Sequence, residues 1–360
     1  MLSGGASSSA SSSHVRSSSD SNRSPTICGE VNQLMNLNKF GRRVAAVVLS
    51  ALSLHAVSSL AQTWPQRTVK FVVPLGPGAG SDLSARLLAD RLTKSWGQPV
   101  VVENRPGGDG LVAINAVLSA RDDHTLLYGP ASSFVGHPYV LDKVPYDPHE
   151  LVPVARVSNT VVCIAVPASL KVDSLRELMA MVREQSGKLN WATVTGVTDI
   201  IVAGYLKRAG LAMVQVPYRD TVSALNDLVE GRIQFYAGAY AILRAQAQGG
   251  RIKVLAVTNR GRVPSLPDLP TVAEAGFPEL SFDGLVGLIA ARGSGITDAL
   301  RERIAADVKS AVADPAIVER LTATGQIVSP GTPAEFAAAI DEQAGHLAAF
   351  SKELGVKPKQ

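Results

Sequence analysis

Cysteine is scarce, with two in 360 residues: Cys28 lies in a Ser-rich front end and Cys163 inside the apolar run VVCIAV. A single thiol in the main body cannot close an intrachain disulfide, and its apolar neighbours mark it as a small buried side chain rather than a nucleophile. Histidine is equally sparse beyond residue 61, where His124, His137, His149 and His346 form no H-x-x-x-H pair and give no basis for a helical metal site. No G-x-S-x-G elbow seats a hydrolase nucleophile, and Asp122-Asp123-His124 reads as a polar turn before a strand. No metal, no cofactor and no catalytic residue is expected.

The front end sets the charge argument. Residues 1–34 are rich in Ser, and Met35 to Arg43 then opens a secretory signal whose apolar stretch runs from Val44 to about Val57. That stretch is too short to span a bilayer stably. Ser59-Leu60-Ala61 supplies the small residues that a signal peptidase reads, so cleavage is expected after Ala61. Met35 reads as the true initiator, with 1–34 as an upstream extension. No Cys sits at the cleavage point, which gives no sign of a lipid anchor. Five of the 35 basic and two of the 31 acidic side chains lie before residue 62, which leaves a net charge of +1 on the rest. A nucleic-acid partner loses its compositional support. The expected location is an exported compartment, most simply a bacterial periplasm.

The mature chain is organised around VKFVVPLGPGAGSDLSARLL, Val69 to Leu88: an apolar strand, a Gly/Pro loop and an amphipathic helix opening at Ser81-Asp82, with Leu83, Leu87, Leu88 and Leu92 as its apolar face. A β-α-β-α-β order through Gly129 predicts a parallel sheet flanked by helices. A second set of βα units runs from about Val161 to Thr258. The last helices, at about 297–313, 315–323 and 333–354, need a sheet to cover, and the first lobe has the uncovered face. The expected architecture is α/β in two lobes, 62–162 plus 282–360 and 163–281, each a mostly parallel sheet, with two hinge crossings.

A strand that passes through a glycine loop into a helix aims free N–H groups and the positive end of the helix dipole at an anion. The loop Gly78-Ala79-Gly80-Ser81-Asp82 is not a dinucleotide fingerprint, because Ser81 stands where the third Gly belongs, and not a P-loop, because no Lys follows. A tight turn with Ser81 or Asp82 as N-cap is the plain alternative to a carboxylate cradle. Ser132 and Ser133 lie at the carboxyl end of the third strand, where open α/β sheets bind ligands. A polar loop Val194 to Asp199, with Thr193, Thr195, Gly196, Thr198 and Asp199, takes the corresponding place in the second lobe, and Tyr218-Arg219-Asp220 forms a third loop.

Several segments together carry a resemblance: FVVP with Gly78 to Asp82, GQPVVVENRPG (97–107), PYDP (145–148), VPYR (216–219), LAVT (255–258) and LPTVAEAG (269–276). The chain resembles, from about Trp64 to its end, the periplasmic solute receptors of tripartite tricarboxylate transporters, the Bordetella-uptake-type family. The resemblance implies a type II-like periplasmic-binding-protein fold, no catalysis, and capture of a small organic acid for a membrane permease; a monomer is expected. It also implies that the loop matching Gly78 to Asp82 holds a ligand carboxylate, aided by Ser132-Ser133 and the second-lobe loop. That second-lobe loop departs from the family's Ser/Gly pattern, which ends in a His. Either Asp199 in that loop or Asp220 in the third loop would receive an ammonium or hydroxyl and repel a second carboxylate, or else both serve as solvated loop caps. The alternatives are presentation of the ligand to a sensor kinase, and an exported α/β enzyme acting on a carboxylated substrate.

Overall fold

The chain beyond the front end is built from short strands joined by helices, and the computed structural model of the protein describes residues 64–193, 196–218 and 221–358. The expected leader and Cys28 lie outside the described residues. In order come β1 (Val69–Val73), α1 (Gly80–Trp96), β2 (Val100–Asn104), α2 (Leu111–Ala120) and β3 (Thr125–Pro130). Two four-residue helices follow, α3 (Ser132–Val135) and α4 (His137–Val140), and then β4 (Leu151–Thr160) and β5 (Val162–Pro167). The middle of the chain holds α5 (Leu175–Glu184), β6 (Asn190–Ala192), α6 (Gly196–Arg208), β7 (Val214–Gln215), α7 (Thr221–Val229), β8 (Phe235–Ala239), α8 (Tyr240–Gln248) and β9 (Ile252–Val257). It closes with β10 (Gly284–Ala291), α9 (Asp298–Val312), α10 (Pro315–Ala323), β11 (Gln326–Gly331) and α11 (Pro333–Leu354).

These elements form two sheets, in strand order β11-β4-β10-β3-β1-β2 and β7-β6-β8-β5-β9. The two-lobe α/β architecture is as expected, but the sheets are mixed rather than mostly parallel. Strands joined by helical crossovers are parallel, β1 with β2 and β3 in one sheet and β6 with β7 and β8 in the other. The strands that carry the chain between lobes run against them: β10 is antiparallel to β3 and β4, and β5 to β8 and β9. β11, which the sequence pattern did not reveal, closes the first sheet antiparallel to β4.

The helices take the positions their caps and apolar faces dictate. Ser174, Thr297 and Asp314 cap α5, α9 and α10, and Thr332 with Glu335 forms a reciprocal capping box on α11. On α1 the buried face is Ala85, Leu88, Ala89 and Leu92, with Leu87 at its margin, whereas Leu83 is exposed. Leu83 falls off the stripe because positions 85, 88, 89 and 92 follow the helical repeat. The C-terminal helices pack on the first sheet: α9 on α1 and β4, and α11 on β4. Phe336 of α11 is fully buried against Gly287, where an added Cβ would lie 2.5 Å from its ring.

The chain crosses between sheets twice, and the crossings are bonded to each other. The Val161 N–H donates to Gly325 O of the first lobe (2.9 Å) and Val161 O accepts from the Tyr240 N–H of the second (2.9 Å). At the return crossing Thr258 N donates to Val162 O (2.8 Å) and Phe282 N to Thr258 O (2.9 Å). Asn259 staples the two: its Oδ1 accepts from Val162 N (3.3 Å), and its Nδ2 donates to Thr160 O (3.1 Å) and Asp283 Oδ1 (3.3 Å).

A second link is the packing of α11 on α6. An added Cβ on Gly204 would sit 2.5 Å from Phe350 Cδ1, so the two helices touch backbone to ring. Arg208 lies over the Phe350 ring, 4.6 Å from its centroid, and forks onto Glu353 at 2.6 and 2.9 Å to Oε1.

Truncation at the heart of the first lobe tests this packing. Phe336→Ala is expected to lower the unfolding free energy by about 3–5 kcal/mol, read as a shift of the urea midpoint at unchanged slope.

Candidate ligand-binding site

The glycine loop after β1 is held open by a buried carboxylate. Asp82, 1 % exposed, turns its side chain back from the first turn of α1. There Oδ2 accepts from the Gly78 N–H (2.9 Å) and Arg86 Nε (3.2 Å), and Oδ1 from Asn104 Nδ2 (2.8 Å) and Arg86 Nη2 (2.9 Å). Burial opposes ionisation, but the donors Arg86, Gly78 and Asn104 outweigh it and hold the carboxyl below its ordinary value. Gly78, at φ +85, supplies the left-handed turn that aims its N–H at Asp82.

With Asp82 committed to the loop, neither it nor Ser81 is the N-cap that the sequence suggested. Ala79 is, in extended conformation and without a side-chain cap bond. The first helical bond runs from Leu83 N to Ala79 O (3.0 Å). The N–H groups of Gly80, Ser81 and Asp82 precede it and lack i−4 acceptors. They form the positive end of a 17-residue helix. Gly78 and Ala79, the other two residues proposed for the cradle, already spend their N–H groups on Asp82 and on Gly76 O.

Ser132 and Ser133 lie in the short helix α3 rather than in a loop. Ser133 is buried, and Gly110 approaches it so closely that an added Cβ would meet Ser133 Cβ at 3.1 Å. On the other lobe, Gly196, Thr198 and Asp199 form the first turn of α6 instead of a loop. An acid there suits the helix dipole, and Thr193 Oγ1 donates to Asp199 Oδ1 (2.6 Å). Burial nonetheless raises the Asp199 carboxyl above its usual range, only partly offset by hydrogen bonds from Thr193 and Gln215. Thr195, Arg219 and Asp220 lie outside the described residues. Tyr218 is drawn elsewhere: its hydroxyl donates to Asp227, which also takes Arg232. Burial and that acceptor push the Tyr218 phenol up to about 12.

The structure brings two of these groups together. An added Cβ on Gly136, just after α3, would lie 2.7 Å from Val197 of α6, and one on Gly196 would lie 2.6 Å from Val140 of α4. The Ser132-Ser133 segment and the α6 N-terminus therefore face each other across the lobe boundary. The sequence reading passed over the group behind this contact. His137, fully buried, bonds Asp109 O through Nε2 (2.9 Å) and Tyr146 OH through Nδ1 (2.7 Å). The only signal in the sequence was the density of Gly around Asp109, since a lone His before Pro138 carries no periodicity.

Two lobes joined by a double crossing, with helix N-termini presented at the strand ends next to the boundary, define a solute-binding receptor of the periplasmic-binding-protein type. The chain belongs to the tripartite tricarboxylate transporter receptor family, whose model, described as "Tripartite tricarboxylate transporter family receptor", matches residues 84–356. A UPF0065 protein of Bordetella bronchiseptica is 32% identical over 87% of this chain and 92% of its own length. A Rhodopseudomonas palustris protein solved with adipate is 26% identical, with TM-score 0.71, covering 82% of this chain and 100% of that one. MatC of the same organism, solved with bound malate, is 27% identical with TM-score 0.66, over 80% of this chain and 99% of that one. Receptors of the family are periplasmic, and no helix among the described residues is long and apolar enough to cross a membrane.

The Asp82 network carries a pH signature. Its folded value lies below the unfolded value of about 3.9, so its contribution is complete above that pH and is lost as pH falls through the folded value. The stability advantage of the wild type over Asp82→Asn is expected to be largest above about pH 5 and to shrink on acidification, as followed by melting curves across acid pH.

Proposed function

We propose that the protein captures a small carboxylate-bearing organic solute between its lobes and delivers it, unaltered and as a monomer, to the membrane permease of a tripartite transporter. Export is directed by a signal peptide that is cleaved after Ala61. One observation carries the reading: the α1 N-terminus keeps three first-turn N–H groups clear of its own acid, because Asp82 is saturated by Gly78, Arg86 and Asn104. A carboxylate oxygen placed there gains charge-assisted bonds from groups already fixed in direction. The adipate and malate found in two relatives support a carboxylate as the group received. In this reading Gly78, Ala79 and Asp82 build the cradle, Gly80 and Ser81 fill it, and Ser132, Ser133, Thr193, Thr195, Gly196, Thr198, Asp199 and Arg219 line the rest.

Backbone recognition is tested by deleting one N–H. Ala79 is extended (φ −63, ψ 153) and Gly80 is the first helical residue, so Gly80→Pro fits the helix start. The substitution is expected to leave the melting temperature without ligand unchanged and to weaken carboxylate binding about tenfold or more, measured by calorimetry. Unchanged affinity would sink the cradle. Native mass spectrometry should recover an intact co-purified acid, whereas turnover of a bound carboxylate would favour an enzyme.

A further inference from the structure

One face of α6 meets the first lobe: Val197, Ile201, Gly204 and Arg208 recur along it at helical spacing. The two ends of this stripe are packed. Val197 touches Gly136, while Gly204 and Arg208 touch Phe350 of α11. Between these contacts the packing opens. Ile201 lines a cavity of about 220 Å³ whose opposite wall is Ala339, Gln343 and His346, the same-spaced stripe of α11 that ends at Phe350. Phe282 and Leu285 add apolar surface from the return crossing. A cavity of about 150 Å³ is already large enough to hold benzene. Neither Gly78 to Asp82 nor Ser132 and Ser133 contribute to this lining.

Two polar groups of the lining have bonds to offer. Gln343 is 7% exposed; its Nε2 donates to Asp283 O (3.0 Å), and its Oε1 has no donor among the described residues. Turning the amide over would set its oxygen against the Asp283 carbonyl, so the orientation is fixed. A buried acceptor without a donor is costly. Arg156, in the same lining, donates through Nε to Ser329 O (2.9 Å), and its Nη groups take no hydrogen bond or ion pair among the described residues. The charges around the cavity balance. Arg260 answers Glu342 (2.6 Å) and Asp283 (4.0 Å), and Arg156 faces Glu335 across Gly331. A net charge on an occupant gains little there, whereas a neutral group that both donates and accepts serves Gln343 and Arg156.

We propose that this cavity is a second ligand site, apart from the carboxylate cradle, for a neutral amide on a short apolar body. The ligand N–H donates to Gln343 Oε1, its carbonyl accepts from Arg156, and its apolar part lies on Ile201, Phe282 and Leu285. Gln343 is tied through Asp283 to Asn259, the side chain that joins the two crossings. An occupant therefore touches both lobes and the junction between them, and it favours the arrangement in which α6 and α11 are packed.

Calorimetric titration of the mature protein with 2-pyrrolidinone and benzamide, and with benzoate as the charged match, tests this. Both amides are expected to bind, and Gly80→Pro, which alters only the cradle, should bind them as the wild type does. Gln343→Leu removes the acceptor and Ala339→Phe fills the cavity from a half-buried position. Each should weaken amide binding about tenfold or more, with melting curves without ligand verifying that the variants fold. Absence of amide binding overturns the proposal. So does amide binding that survives either cavity variant or disappears in Gly80→Pro. Benzoate bound as tightly as benzamide, and lost in the same two cavity variants, overturns the neutral class.

Discussion

The molecule depends on two chain crossings lying side by side and sharing hydrogen bonds. Asn259 is the connector: one amide side chain accepts from the outgoing strand and donates to the carbonyl before it and to the carboxylate at the return. Buried polar groups at such a junction cost free energy unless every one is met, so the crossings can exist only as a pair. Their pairing also explains why the sheets are mixed. At the crossings the chain reverses against the strands that the helical crossovers built in each half, and β5 and β10 run opposite to them.

From that junction the two lobes present their strand ends to one boundary, where the electrostatics are deliberately uneven. The first lobe spends an acid, an arginine and an asparagine on keeping a helix end uncovered. The second lobe does the opposite and sets Asp199 into the first turn of its helix, where the carboxylate and the dipole answer each other. In the proposed site, a solute between them would meet the positive helix end on one side and a negative group on the other. Behind the second helix, α11 reaches over from the first lobe, and Phe350, Gly204, Arg208 and Glu353 grip its far end. The exposed ion pair adds little energy by itself. The ring seated on bare backbone sets the approach of the two helices.

Much of the fold was legible because it is local. The strand-loop-helix at Val69 to Leu88, the order of βα units and the return of α9, α10 and α11 to the first sheet follow from periodicity and turn residues, and α11 begins where a capping box can be read from Thr332 to Glu335. What escaped was long-range or brief. β11 is a short strand whose partner β4 lies far back in the chain, and α3 and α4 are single turns with no stripe to detect. At the site, the glycine loop announced a helix end, but nothing local said that Asp82 would face Gly78 and Asn104 instead of capping. The links from His137 to Asp109 and Tyr146 join positions 28 and nine residues apart, and pairings of that kind leave no spacing to read.

The solitary thiol of the folded body has a practical side. Cys163 is free and fully buried in β5, within the second sheet and next to the outgoing crossing. Burial pushes its proton affinity up, so the thiolate that alkylating dyes attack is scarce. Among the described residues, no thiol is therefore open to such dyes. A cysteine introduced at the surface of each lobe would carry a fluorophore pair with no background from within, turning the receptor into an optical gauge of its own solute.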